Sequence, residues 1–152
     1  MTDHVQQQIL DYVRTTLRAA NTAAGTDVYL DQVDPLEATK LPAINIEGGN
    51  EEIVLNTLHS SAVQQRNFEF TVSCIVAQAN GAPKAARNLG GEVETALLST
   101  VAASTAGGLC SSLRITAAEP FKDGSAATVC FEARQTWACT YFTQEGAPTV
   151  AL

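Results

Sequence analysis

The residues able to do chemistry are few, and their spacing decides what they can do. The chain holds two histidines, His4 and His59, and four cysteines, Cys74, Cys110, Cys130 and Cys139. A hydrolytic nucleophile needs a base within reach, most often histidine. His59 stands directly before Ser60 and Ser61 in "LHSSA", but side chains adjacent on a turn do not face each other. The cysteines form no C-x-x-C pair, which excludes a zinc knuckle or a dithiol redox motif by spacing. Cys74 and Cys139 fall on the apolar phase of alternating segments, where burial raises a thiol's pKa and quenches its nucleophilicity. They are expected to be buried free thiols, with no disulfide framework.

The remaining candidates are acids. The stretch "DVYLDQVDPLEATKLPAINIEGGNEE", residues 27–52, carries seven acids and one lysine. Asp27, Asp31, Asp34 and Glu37 are four, three and three residues apart with Pro35 among them. A calcium loop instead alternates its oxygen ligands around a glycine and closes on a glutamate. A carboxylate-pair glycosidase would want aromatics for stacking sugars, and only Tyr29 is nearby. No catalytic residue, metal site or cofactor is expected, and the chain is read as a non-enzyme. The competing reading, a small metal- or ligand-binding enzyme domain on the 27–52 segment, would need metal- or ligand-dependent stabilisation.

Charge distribution points the same way. Of the net charge of −7, residues 27–69 contribute −6, from eight acids against Lys40 and Arg66. Residues 1–26 are neutral, and residues 70–152 contribute −1. Such a surface repels phosphate, so nucleic acid is excluded as an adhesive partner. Asp31, Asp34, Glu37, Glu51 and Glu52 are the candidates for a negative assembly or channel surface. No apolar run approaches the length of a membrane span, and "MTDHVQQQIL" has neither the basic start nor the apolar stretch of a signal peptide. The expected location is the cytoplasm.

The elements that would carry these residues follow from periodicity. Val5, Ile9, Val13 and Leu17 recur at helical spacing, predicting an amphipathic helix over residues 2–20 capped by Thr2 or Asp3. "DVYLD", "LPAINIEG" and "EEIVLNTL" read as strands, with "GGN" as a turn between the last two. "RNFEFTVSCIVA" alternates cleanly, as a half-buried antiparallel strand should. Residues 78–105 read as a second helix with Pro83 in its first turn. Gly90-Gly91 would cost about 2 kcal/mol against two alanines, so a kink or break is expected there. "LRITAAEP" and "ATVCFEARQTWACTYFT" form a hairpin turning at Asp123-Gly124. Gln135 interrupts the apolar phase of the second strand and suggests a bulge. At about 3.3 Å per residue that strand exceeds 50 Å, long enough to protrude or to pair with a neighbour.

The order of helix, four strands, helix and two strands predicts an α+β fold. A single mainly antiparallel, mixed sheet would carry two helices on one face. Residues 1–143 form one domain, and residues 144–152, "QEGAPTVAL", read as a flexible C-terminal tail.

This order, together with the proline-marked connector P-L-x(4)-L-P-A-I-x-I at residues 35–46, resembles the tail terminator (minor tail protein U-like) and related tail-completion proteins of long-tailed bacteriophages. The resemblance covers residues 1–143. It implies a virion structural protein that forms a homo-oligomeric ring, a hexamer, on the end of the tail tube. Such a ring ends tube polymerisation and presents the head-tail joining surface. The implied partners are further copies of the chain, the tail tube protein and a head-completion or neck protein. DNA would be passing cargo, with no membrane involved and assembly in the host cytoplasm before residence in the virion tail. A neck or head-completion protein of the same particle is the nearest alternative.

Overall fold

A computed structural model describes residues 2–34, 36–55, 62–77, 79–123 and 130–152. His59, Ser60, Ser61 and Gly124 lie outside the described residues. The elements run α1 (Val5–Ala19), β1 (Val28–Leu30), β2 (Ala43–Leu55), β3 (Val63–Ala77), α2 (Ala82–Leu98), α3 (Val101–Ser104), β4 (Arg114–Asp123) and β5 (Cys130–Gln144). The strands make one sheet in the order β1-β2-β3-β5-β4. β1 runs parallel to β2, and every other pairing is antiparallel. This is the α+β architecture expected from the sequence, a mixed sheet with its two long helices on one face.

Alternation decides that face. Phe68, Phe70, Val72 and Cys74 of β3 and Trp137, Cys139 and Tyr141 of β5 form one core with Val5, Ile9, Leu10, Val13 and Leu17 of α1 and Leu89, Val93 and Leu97 of α2. Trp137, Phe68 and Phe70 are fully buried, and each such side chain contributes about 2–3 kcal/mol through burial. Phe70 and Trp137, directly paired across β3 and β5, stack with centroids 6.5 Å apart.

Several local expectations are corrected. Gly48–Asn50 is no turn: β2 runs straight through it, with a register shift against β3 between Gly48 and Glu51. A Cβ at Gly49 would lie 2.8 Å from the Glu69 carbonyl oxygen, so the glycine allows two backbones to approach closely at a bulge. Among the described residues, three strands therefore precede α2, where four were expected. The helix α2 does not break at Gly90-Gly91. A Cβ on Gly90 would fall 2.9 Å from the Gln135 amide nitrogen, which donates to the Gly90 carbonyl at 3.1 Å. Gln135 is itself buried, and its carbonyl accepts from the Trp137 indole at 3.1 Å. Gln135 stays in register with both neighbours, and the bulge lies instead in β4 between Ile115 and Ala117. The cap of α1 is His4, whose Nδ1 accepts from Gln6 N at 3.1 Å.

Candidate assembly surface

The bulge in β2 has a consequence for charge. Before it, even-numbered residues face the helices, as the pairing of Ile44 with Cys74 and of Gly48 with Phe70 requires. After it the phase is reversed, and Glu51 pairs with Phe68 while Glu52 pairs with Asn67. Adjacent acids are thus sent to opposite faces of the sheet.

Glu51 enters a polar cluster at the margin of the core. Arg66, on the otherwise apolar phase of β3, donates from Nη1 to its Oε2 at 2.8 Å. The same guanidinium donates from Nε to Thr143 Oγ1 and from Nη2 to Gln64 Oε1, each at 3.0 Å. Tyr141 donates its hydroxyl to the second Glu51 oxygen. Burial, reinforced by this carboxylate, pushes the Tyr141 phenol up from its ordinary range. The His4 ring, 3.4 Å from Arg66 Nη1, ties the start of α1 to the cluster. Arg66 keeps 8% of its surface exposed, so this pair is part of the interior.

The other candidate acids lie elsewhere. Asp31, with φ of 51°, ends β1; its amide donates to the Ile46 carbonyl at 2.7 Å and its carboxylate accepts from Gly48 N at 3.2 Å. It thereby takes up the first β2 group that β1 is too short to reach. Asp34 and Glu37 are exposed on the connector to β2, beside Val33, which is 93% exposed. Glu52 is exposed on the sheet face opposite the helices. The five acids therefore do not form one surface. Asp34 and Glu37 are exposed at one place and Glu52 at another, Asp31 braces the β1–β2 junction, and Glu51 is internal.

What the sequence reading missed is the shape of the open face and its edges. Glu52, Glu69 and Asn67 on β2 and β3 share this face with Ala138 and Thr140 of β5 and Arg114 of β4. With Ser111, Ser112 and Thr116 they line a groove of about 470 Å³. Acid thus concentrates on one side and Arg114 on the other. β1 covers β2 only as far as Ile46, and among the described residues no strand pairs with the outer side of β2 from Glu47 to Leu55 or with the outer side of β4. The far end of β2 is also apolar, with Ile53, Val54 and Leu55 at 49%, 39% and 53% exposure. That sequence signal was present, since "EEIVL" alternates poorly for a strand with one wet face.

Of residues 144–152, expected as a flexible tail, Gln144 ends β5 and others make hydrogen bonds back to the domain. Pro148 O accepts from Val5 N at 3.0 Å, Thr149 O from Gln8 Nε2 at 2.9 Å, and Leu152 N donates to Phe142 O at 3.0 Å.

No protein-family model matches the chain, and no curated protein does. A search of solved structures finds a similar fold in a chain of the virion of a native gene transfer agent particle. The TM-score is 0.53 at 19% sequence identity, over 90% of this chain and 93% of that one.

Proposed function

We propose that this protein is a structural component of a phage-like virion, with no catalytic role. The observation that carries the reading is the fold shared with a gene transfer agent virion chain over 90% of this chain and 93% of that one. Within the particle, we assign it the role of tail terminator. Further copies of the chain form a ring, a hexamer, that caps the tail tube, stops its polymerisation and offers a joining surface to the head-completion or neck protein. Two features support a ring. Among the described residues, the sheet has unpaired backbone on both sides, along β2 beyond Ile46 and along β4. A contact between two different surfaces, repeated with rotation, closes a ring, whereas a self-complementary contact stops at a dimer. The exposed acids of the connector, Asp34 and Glu37, suit a surface past which DNA moves without adhering.

The test is to mix the purified protein with tail tubes and with DNA-filled capsids, then sediment and image each mixture. A ring on the tube end and tubes of fixed length are expected. A protein that stays monomeric with and without tubes rules out the terminator role, and co-sedimentation with capsids alone assigns it to the neck. In the ring, Asp34→Lys and Glu37→Lys together should confer salt-sensitive retention of DNA. Unchanged DNA retention would remove these acids from the channel.

A further inference from the structure

Cys110 and Cys139 come from separate parts of the chain, one from the loop that follows α3 and one from β5, and both are free thiols. The backbone fixes them side by side. Ser111 N donates to the Thr140 carbonyl at 2.7 Å, and Thr140 N donates to Ser111 Oγ at 2.9 Å. The residue after each cysteine is thus doubly bonded to the residue after the other, which brings Cys110 against the part of the core that holds Cys139. Cys139 is 5% exposed, within the core, while Cys110 packs against that core and is half-buried. A small reagent therefore meets Cys110 before it meets Cys139.

We propose that Cys110 and Cys139 are a disulfide-forming pair, oxidised by a low-molecular-weight disulfide such as glutathione disulfide, that clamps the loop after α3 onto β5. The chemistry balances as two exchanges. The Cys110 thiolate attacks one sulfur of glutathione disulfide, forming a mixed disulfide and releasing one glutathione thiolate. Cys139 then gives up its proton and attacks the Cys110 sulfur, closing the intramolecular bond and releasing the second glutathione. Two protein thiols are oxidised and one glutathione disulfide is reduced to two glutathione molecules. The roles divide according to environment. The neighbouring Cys139 thiol holds the Cys110 thiol below its ordinary pKa, against the effect of its burial. The nearby Cys110, together with burial, pushes Cys139 up. Cys110 is the attacking sulfur and Cys139 the resolving one. Cys74 does not compete, since burial raises its thiol to about 12.

The pairing is independent of the virion reading, because it follows from this chain alone. To test it, the native protein is incubated with glutathione disulfide, denatured, alkylated and mapped by mass spectrometry. Two of the four cysteines should escape alkylation, joined in one cross-linked peptide pair containing residues 110 and 139. The bridge should raise Tm by roughly 5–10 °C, because it shortens a loop of the unfolded chain. In Cys139→Ala the reaction should stop at glutathione bound to Cys110. Four alkylated cysteines, or a bridge through Cys74 or Cys130, would overturn the proposal. So would a wild-type protein that retains glutathione on Cys110. If Cys139→Ala does not fold, the wild-type peptide map alone decides.

Discussion

Glu51 and Glu52 are neighbours in sequence, yet the two faces of the sheet treat them in opposite ways. On the helix-covered face, Glu51 meets Arg66 and Tyr141 at the edge of the core. On the open face, among the described residues, Glu52 takes a long 3.4 Å hydrogen bond from Asn67 and stays exposed. At this bulge, one face uses a carboxylate to satisfy a buried cation and the other leaves Glu52 to water or to whatever docks there. Further along the open face, by contrast, Glu132 is buried and paired with Arg134 at 3.1 Å. For Glu51 and Glu52, ionic character is therefore structural or available according to the phase that the bulge sets, and composition alone says nothing of it.

The sharpest way to break this contrast is to remove one partner of the covered pair. Glu51→Ala strands the Arg66 guanidinium, and Arg66→Met strands the carboxylate together with the Tyr141 and Thr143 groups around it. Each should cost about 3 kcal/mol in urea denaturation, the lower end for a broken buried pair because some exposure remains. Replacing both at once should cost less than the two single changes summed. If Glu51→Ala falls within about 1 kcal/mol of the parent protein, the pair behaves as a surface feature after all.

The covered face should also make the protein sensitive to alkali. Burial raises the Cys74 thiol from 9.0 to about 12. Below pH 9 both folded and unfolded chains hold this proton, and its contribution is fully present. Between pH 9 and about 12 the unfolded chain releases the proton while the folded one keeps it, so stability falls as pH rises. The loss from about pH 9 to 11 should be roughly 2–3 kcal/mol. Tyr141, also raised, adds a decline in the same direction above its ordinary value of 10.0. Cys74→Val should flatten this alkaline slope, whatever it does to stability at neutral pH. An unchanged slope would locate the alkaline sensitivity elsewhere.

These covered-face features show how far the sequence could be read. The alternation of residues 66–77 and 130–143 and the helical stripe of residues 5–17 are properties of single segments, and each emerged as expected. The corrections to turn, helix and strand all concern partners from distant segments. "GGN" has the composition of a turn, and only the Glu69 carbonyl, opposite in β3, makes it a bulge. Gly90 looks like a flaw in a helix and Gln135 like a flaw in a strand, yet the two fit each other. Arg66 sits on an apolar phase, which demands a buried partner without saying which acid supplies it. The candidate surface suffered most, because one extra residue at the bulge decides whether Glu51 or Glu52 points outward.

The paired glycines allow a smaller test of that fit. A Cβ on Gly91 would meet nothing within 4 Å, whereas one on Gly90 would meet Gln135. Gly91→Ala should stabilise the protein by about 0.5–1 kcal/mol through helix propensity. Gly90→Ala gains the same propensity but displaces the buried Gln135 amide, and should be net destabilising by about 1 kcal/mol. Equal stabilisation by both would mean that Gln135 moves aside freely and that its bond to Gly90 contributes little.

The smallest effect is expected on the open face, where it carries the most functional meaning. Glu52→Ala and Glu69→Ala remove carboxylates that hold no ion pair among the described residues, so each should shift stability by no more than about 0.5 kcal/mol. If this face is an assembly surface, the same two changes should nevertheless alter association with tail tubes or its dependence on salt, since rim charges act mainly on encounter and register. A variant with unchanged folding and changed assembly would separate the two faces cleanly. A drop of more than about 1 kcal/mol from Glu52→Ala, beyond what an exposed carboxylate contributes, would mean that both faces use their acids in the same way, and the distinction drawn between Glu51 and its neighbour would fall.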